Sequence, residues 1–185
     1  MKTAYDIQVA GLHRSLPLFK VNDSLSIAAF IIFGDVELTE RCAAELLKKL
    51  PPHDIMITAE AKSIPLIHEL ARQSGENQYI IARKAMKVYM RDVVSVSVKS
   101  ITTQNVQTLY LGGDDAELMR GRRVLIVDDV ISTGESLSAL EKLVTKAGGN
   151  ICGKAAILAE GDAAERGDII FLEKLPLFDS EGNAL

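Results

Sequence analysis

Apolar segments of strand length alternate with amphipathic segments of helix length along much of this chain. Residues 36–50 carry apolar side chains at helical spacing and stop before two prolines, and residues 54–58 form a short apolar run. Residues 63–72 then repeat the helical spacing, with Pro65 near the first turn. Strands that alternate with helices in this way predict an α/β fold with a central parallel sheet.

The same pattern continues on both sides of these segments. Further strand candidates are residues 27–33, 78–82, 151–159 and 168–172, and residues 136–144 are a further helix candidate. Alternation of apolar and polar residues over 93–111 predicts a β-hairpin with a long polar connection. Chain breakers predict an irregular segment over residues 1–26 and a turn at 112–115. With 185 residues and no internal repeat, the chain fits a single domain, residues 1–185.

One stretch, residues 123–136, combines a strand, two adjacent carboxylates and a small polar turn. Aliphatic residues 124–127 precede Asp128 and Asp129, and the turn leads into the helix candidate. In a parallel α/β sheet, ligands bind beyond the carboxyl ends of the strands, where both acids are expected. Successive strand side chains point to opposite faces, so one acid is expected to bind vicinal sugar hydroxyls. The other is expected to face Mg²⁺, its waters or a basic side chain.

The turn at residues 131–136 has the features of a phosphate-binding loop. It exposes backbone N–H groups at a helix N-terminus, Thr133 and Ser136 add hydroxyl donors, and Gly134 permits close approach. A carboxylate pair beside such a loop points to a phosphorylated sugar. The simpler alternative is that the acids keep a loop soluble and that the turn only caps a helix.

The full string from Val124 to Ser136 resembles the ribose-phosphate motif of the type I phosphoribosyltransferases. That family transfers 5-phosphoribose from 5-phosphoribosyl-1-pyrophosphate (PRPP) to a nitrogenous base, with Mg²⁺ as cofactor and release of pyrophosphate. The resemblance implies helices on both faces of the parallel sheet, a small hood and a flexible β-hairpin loop. It also implies that Asp128 and Asp129 are the catalytic pair, binding ribose hydroxyls and, through water, the metal. The base is expected near Val130 and Ile131, and the 5′-phosphate on Ile131, Ser132, Thr133, Gly134, Glu135 and Ser136.

Two further segments resemble the pyrophosphate-binding parts of purine enzymes in this family. Glu60-Ala61-Lys62-Ser63 resembles the Glu-Ala-Arg-Gly loop of adenine phosphoribosyltransferases, although Lys62 lacks the guanidinium fork and Ser63 replaces a glycine. Residues 83–87 resemble the Arg-Lys-Ala-Lys segment of xanthine phosphoribosyltransferases, and their three cations must face water or an anion. A solvated basic loop is the alternative. The resemblance implies pyrophosphate contacts from Ala61, Lys62, Arg83, Lys84 and Lys87. In that family such residues can reach the neighbouring subunit, which implies a homodimer.

Two purine classes and one non-catalytic role are compatible with these features. Adenine is the first candidate base, because of the Glu60-Ala61 loop and because residues 175–178 resemble the C-terminal segment of adenine enzymes. Xanthine or guanine is the second, because the Arg83 segment and residues 18–23 resemble the xanthine enzymes. Adenine enzymes carry a loop glutamate that assists proton transfer, whereas this chain has no carboxylate between Asp92 and Asp114. A regulatory protein that binds PRPP without turnover is therefore the alternative to an enzyme of purine salvage.

Composition and charge limit the classes of binding partner and the cellular locations that are expected. Hydrophobic residues make up 48% of the chain, charged residues 25%, and the formal net charge is −4, which disfavours nucleic-acid binding through a basic surface. The longest apolar run, residues 25–33, is too short to cross a membrane, and the first residues lack the apolar core of a secretion signal. Cys42 and Cys152 lie in apolar patterns typical of buried thiols, which fits a cytoplasmic protein.

Overall fold

The structure is a computed structural model, and it describes residues 2–99 and 106–185. In chain order the strands are β1 (Ala4–Val9), β2 (Leu12–Lys20), β3 (Ser26–Ala28), β4 (Ile55–Ala59), β5 (Ile80–Ala82), β6 (Val94–Lys99), β7 (Val106–Leu111), β8 (Arg123–Ile131), β9 (Asn150–Glu160) and β10 (Ile170–Leu175). The helices are α1 (Val36–Leu47), α2 (Ile64–Ser74), α3 (Gly113–Met119) and α4 (Glu135–Lys146), and a 3₁₀ turn (Gly161–Glu165) follows β9.

A five-stranded parallel sheet in the order β10-β9-β8-β4-β5 forms the centre of the fold. Side chains alternate between its two faces, so Leu125 and Val127 pack with α1 and α2, whereas Val124 and Ile126 pack with α3 and α4. All four are fully buried. Burial on both faces explains why residues 124–127 of β8 form an unbroken apolar run. The predicted α/β fold with helices on both faces is confirmed.

A three-stranded antiparallel sheet, β1-β2-β3, forms the hood. The prediction of an irregular segment over residues 1–26 is therefore wrong. Ala10 and Gly11 connect β1 to β2 with positive φ angles of 52° and 78°, the conformation of a tight hairpin turn, so the glycine marks a turn between strands. The predicted strand over residues 27–33 is also too long, because only β3 pairs with β2 and the apolar side chains of Ile31 and Phe33 are exposed.

The C-terminal segment is fastened to the hood. Ser26 and Phe178 exchange two backbone hydrogen bonds of 2.8 and 3.0 Å, and the buried Phe178 ring lies 5.0 Å from the ring of Tyr5. The segment that resembles the end of adenine enzymes thus packs against the N-terminal strands.

Strands β6 and β7 form the predicted hairpin, in register from Val94 opposite Leu111 to Lys99 opposite Val106. The predicted polar connection, residues 100–105, lies outside the described residues. The turn predicted at residues 112–115 is wrong, because α3 begins at Gly113. Asp114 and Asp115 occupy its first turn, where acidic side chains interact favourably with the helix dipole.

Two observations bear on the remaining sequence predictions. Over residues 2–99 and 106–185, no helix is both long enough and apolar enough to cross a membrane. Cys42 is buried and Cys152 half-buried, and both are free thiols. Burial raises the pKa of Cys42 to about 12, so this thiol stays protonated and behaves as a core side chain.

Candidate active site

The carboxyl ends of β4 and β8, neighbours in the sheet, open into a cavity of about 180 Å³. The loop after β4 forms one wall and the turn between β8 and α4 forms the other. The sequence-predicted residues that line this cavity are Ala61, Lys62, Lys84, Asp128, Asp129, Val130, Ile131, Ser132, Thr133, Gly134, Glu135 and Ser136. Two loops that are about 70 residues apart in the chain meet here because parallel strands end at the same edge.

The two carboxylates meet at one hydroxyl. Ser63 Oγ lies 2.6 Å from Asp128 Oδ1 and 3.0 Å from Asp129 Oδ1, and it accepts a 2.9 Å hydrogen bond from the Asp129 N–H. Strand alternation predicts that the acids face apart, but both reach Ser63 because its side chain lies against the backbone of β8. Ser63 and Asp129 are 1% and 3% exposed, so this arrangement is largely shielded from water.

The pair carries more negative charge than its surroundings neutralise. Burial, and then the charge of Asp129, raise the pKa of Asp128 to about 7. Asp129 Oδ2 is buried and has no hydrogen-bond partner among the described residues, although Lys62 Nζ approaches it to 3.3 Å. A buried carboxylate oxygen without a hydrogen bond is costly. The site is therefore suited to a cation or to hydroxyl donors from a ligand.

The turn from β8 to α4 presents backbone amides to the cavity. Gly134 is the N-cap of α4 and has a left-handed backbone, with φ 79° and ψ 6°. The Ser138 N–H donates a 2.8 Å hydrogen bond to the Gly134 carbonyl. The first N–H groups of a helix have no partner within the helix. With the half-buried Ser136 beside it, this turn has the groups expected of a phosphate cradle, and we use that name for residues 131–136.

Glu60 ties the loop after β4 to the segment after β5. Its Oε2 accepts a 3.0 Å hydrogen bond from the Lys84 N–H, and its Oε1 lies 3.4 Å from Arg83 Nη2. The Glu60–Ala61 peptide bond is cis. The hydrogen bond between Glu60 and Lys84 joins the two loops, and Lys62 and Lys84 line the same cavity.

Arg83 and Lys87 do not line the cavity. Arg83 exchanges two backbone hydrogen bonds with Tyr110, of 2.9 and 2.8 Å, and borders a separate cavity of about 500 Å³ that includes Tyr79 and Tyr89. Lys87 lies farther along the same loop, where its N–H donates to Met90 Sδ at 3.3 Å.

The structure adds cavity residues that the sequence prediction did not assign to the site. Ser63 holds the acidic pair, Glu60 joins two loops, and Gln107 enters from β7. Ser63 could have been found from the sequence, because it replaces the glycine of the Glu-Ala-Arg-Gly loop that this segment resembles. Nothing in the local pattern around Gln107 distinguishes it from other polar positions of an alternating strand.

A comparison with protein-family models shows to which family the chain belongs. The model of the phosphoribosyl transferase domain matches residues 37–174, from the start of α1 to β10. The chain belongs to the phosphoribosyltransferase family. The matched range contains β4, β8 and both cavity walls, so the family assignment covers the candidate active site.

Curated relatives of this phosphoribosyltransferase domain include archaeal proteins. The hypoxanthine/guanine phosphoribosyltransferase of Methanococcus voltae is 34% identical over 113 residues, covering 61% of this chain and 56% of that protein. The protein of the same name from Methanotorris igneus is 32% identical over 128 residues, covering 68% of this chain and 66% of that protein. The chain thus spans a little more than half of the first of these relatives.

Solved structures of adenine phosphoribosyltransferases share the fold. The enzyme from Thermoanaerobacter pseudethanolicus superposes with a TM-score of 0.66 at 21% identity, over 93% of this chain and 95% of that chain. The enzyme from Saccharomyces cerevisiae also gives a TM-score of 0.66, at 16% identity, over 92% of both chains. At such identities the likeness establishes the fold, and the resemblance to the purine branch of the type I family is confirmed.

Proposed function

We propose that this protein is a purine phosphoribosyltransferase that transfers 5-phosphoribose from PRPP to a purine base, releasing pyrophosphate. One observation carries the proposal: the Ser63-bridged carboxylate pair, the phosphate cradle and Lys62 line a single cavity. A sugar that carries a 5′-phosphate and a 1-pyrophosphate needs these three groups in one site.

Each wall of the cavity has a separate role in this reaction. Asp128 and Asp129 accept hydrogen bonds from the ribose hydroxyls, and the amides and hydroxyls of residues 131–136 hold the 5′-phosphate. Ala61, Lys62 and Lys84 hold the pyrophosphate, and the base lies near Val130 and Ile131.

The bond from C1′ to the pyrophosphate oxygen breaks as the purine nitrogen bonds to C1′, and the proton of that nitrogen passes to the pyrophosphate or to water. The sugar is cation-like in the transition state. The protein therefore contributes mainly by positioning the reactants and stabilising the leaving group.

The carboxylate pair fits Mg²⁺. This ion is usually bound through one or two carboxylates together with substrate phosphates, and it keeps several waters. Among the described residues, no group of three or more His, Cys, Asp and Glu side chains could hold a metal ion, so the pair and the substrate would share one. Asp129 Oδ2, buried without a hydrogen bond, is the best placed oxygen. When bound, Mg²⁺ would neutralise charge on the pyrophosphate as it leaves.

Adenine is the first base that we propose, since the Glu60-Ala61-Lys62 loop and the C-terminal segment resemble those of adenine enzymes. Hypoxanthine or guanine is the second, because the curated relatives at 30–34% identity carry those names. The bases differ at the edge that recognition would use: adenine presents an acceptor at N1 and a donor at the 6-position, whereas the 6-oxopurines present the reverse. Xanthine belongs to the second group.

We also propose that the active unit is a homodimer. Arg83 and Lys87 lie outside the cavity of their own chain, and the loop between β5 and β6 exposes Met86, Val88 and Tyr89. If a neighbouring copy covers these apolar side chains, Arg83 and Lys87 of one chain would lie near the pyrophosphate site of the other.

A pyrophosphate-release assay tests the proposed function. The purified protein is incubated with PRPP and Mg²⁺ and with adenine, hypoxanthine, guanine, xanthine or no base. We expect pyrophosphate release either with adenine or with the 6-oxopurines, but not with both. Asp128→Asn should lower the rate of release by about 100-fold or more. Arg120→Gln, a substitution on an exposed side chain just before β8, is the control and retains activity. Failure of every base to support release, in the presence of tight PRPP binding, would contradict the enzyme and favour a regulatory PRPP sensor.

A further inference from the structure

A charged side chain from outside the motif lies against the phosphate cradle. A Cβ placed on Gly134 would come within 3.0 Å of Arg166 Nη1. Arg166 follows the 3₁₀ turn after β9, and β9 is the neighbour of β8 in the parallel sheet. The loops that follow adjacent parallel strands meet at the same edge, which brings this arginine to the cradle although it is about 30 residues away in sequence.

The guanidinium is held in a fixed orientation. Arg166 Nε and Nη2 donate to the two oxygens of Asp168 at 2.9 and 2.8 Å, a bidentate pairing that leaves Nη1 on the side of Gly134. Lys154 also donates to Asp168, at 2.5 Å, and to Glu141 of α4, at 2.7 Å. These four side chains connect β9, α4 and the loop before β10. Arg166 and Lys154 hold the pKa of Asp168 well below its usual value, so the Arg166–Asp168 pair stays charged at neutral pH.

The turn between β9 and β10 is also anchored in the core. Arg166 N–H donates to the Ala163 carbonyl at 3.1 Å, and Ala163 is 2% exposed within the apolar cluster that contains α4. The Arg166 side chain is about one third exposed, and it lies against Gly134 beside the cavity rather than in the cavity lining.

The charge of the cradle indicates what this arginine does. Residues 131–136 contain one carboxylate, Glu135, and no basic residue, and the acidic pair lies directly before them. Lys62 and Lys84 belong to the loops after β4 and β5. A phosphate monoester carries about −1.5 to −2 charge at neutral pH, and the amides and hydroxyls of the cradle would hold it close to the acidic pair. A fixed guanidinium against Gly134 offsets this repulsion.

We propose that Arg166, clamped by Asp168, is a binding residue for the 5′-phosphate of the substrate. The inference rests on the proposed function, since it names a further residue of the same site. It predicts that Arg166 acts on the ribose 5-phosphate half of PRPP and leaves the pyrophosphate half unaffected.

The test compares Arg166→Gln and Arg166→Lys with Arg120→Gln, which makes the same charge change on an exposed arginine near the opposite end of β8. Dissociation constants for ribose 5-phosphate, pyrophosphate and PRPP with Mg²⁺ are measured by calorimetry, and KM for PRPP and kcat by pyrophosphate release. For Arg166→Gln we expect the constants for ribose 5-phosphate and PRPP to rise about tenfold. The constant for pyrophosphate and kcat should stay within about twofold, and Arg166→Lys should recover part of the loss.

Asp168→Asn provides a second variant, because it keeps the arginine charge and loosens its clamp. We expect a smaller loss of ribose 5-phosphate affinity than in Arg166→Gln. Wild-type affinity for ribose 5-phosphate in a folded Arg166→Gln protein would overturn the inference and leave the proposed function standing. An equal loss of pyrophosphate affinity would also overturn it, because the effect would not be local to the cradle. If the wild-type protein binds none of the three ligands, the proposed function fails, and the inference fails with it.

Discussion

At the scale of single residues, the Ser63 hydroxyl has one proton and two carboxylates within reach. It can donate to Asp128 or to Asp129 at any moment, but not to both. The protein's own groups therefore leave the pair short of donors. A substrate with two sugar hydroxyls, or a cation, supplies what the protein lacks, so the electrostatics of the pair favour ligand binding.

The raised pKa of Asp128 predicts an unusual pH dependence of stability. Its pKa is about 7 in the folded protein and near 3.8 when unfolded, so the folded state binds more protons between these values. The stabilising contribution of this group is then complete below about pH 4 and is lost as pH rises through 7.

Asp128→Asn cannot ionise, and we expect it to melt a few degrees above wild type at pH 8. The gap should narrow towards pH 4. Thermal unfolding followed by circular dichroism at both pH values measures this, and a variant less stable than wild type at pH 8 would contradict it.

Ser63→Ala should weaken both the fold and the site. The substitution removes the donor shared by the buried carboxylates, and we expect a loss of about 1–2 kcal/mol of unfolding free energy at pH 8. We also expect a PRPP dissociation constant about tenfold higher, because the pair loses its fixed geometry. Ser24→Ala removes an exposed hydroxyl that bonds Asn22 and serves as the control. Denaturant titration and calorimetry give the two quantities, and no change in either would argue against a role for the hydroxyl.

At the scale of elements, the phosphate cradle depends on the backbone of Gly134. An alanine at this position would be strained by φ 79° and would push against Arg166. Gly75 ends α2 with φ 76°, and a methyl group there would meet no atom within 4 Å, so Gly75→Ala imposes the backbone strain alone.

We expect Gly75→Ala to cost about 1 kcal/mol in stability. Gly134→Ala should cost more, because its methyl group also meets Arg166. Only Gly134→Ala should lose PRPP binding, by about tenfold or more. Denaturant melts and calorimetry on both variants check this, and equal PRPP affinities in the two would show that the cradle tolerates a side chain.

The elements also show what the sequence could predict. The strand, the acid pair and the turn of residues 123–136 are predictable, because the apolar run, the two carboxylates and the glycine are all visible in the local sequence. The resemblance implies a hood, but the local pattern does not predict its strands, because Gly11 has the pattern of a chain breaker although it forms a turn between β1 and β2. Ser63 meets Asp129, 66 residues away, and Arg166 lies against Gly134. Both are tertiary contacts, and periodicity carries no information about such pairs.

At the scale of the whole molecule, the exposed apolar loop after β5 leads to a prediction about assembly. Met86, Val88 and Tyr89 are 65%, 107% and 69% exposed in the single chain. We expect light scattering to give twice the mass of one chain, and Val88→Asp to give one chain mass and lower pyrophosphate release. The loss follows if Arg83 and Lys87 serve the neighbouring site. A wild-type protein that is a fully active monomer would exclude this arrangement.

The cavity between β4 and β8 is where the sheet, the acidic pair and the phosphate cradle converge, and we propose that it holds a phosphorylated ribose. A crystal structure of the protein with ribose 5-phosphate and Mg²⁺ would show where that ligand binds. We expect the phosphate against the amides of residues 132–136 and the sugar hydroxyls on Asp128 and Asp129. A sugar phosphate bound elsewhere, or no ligand in the cavity at saturating concentration, would contradict the proposal.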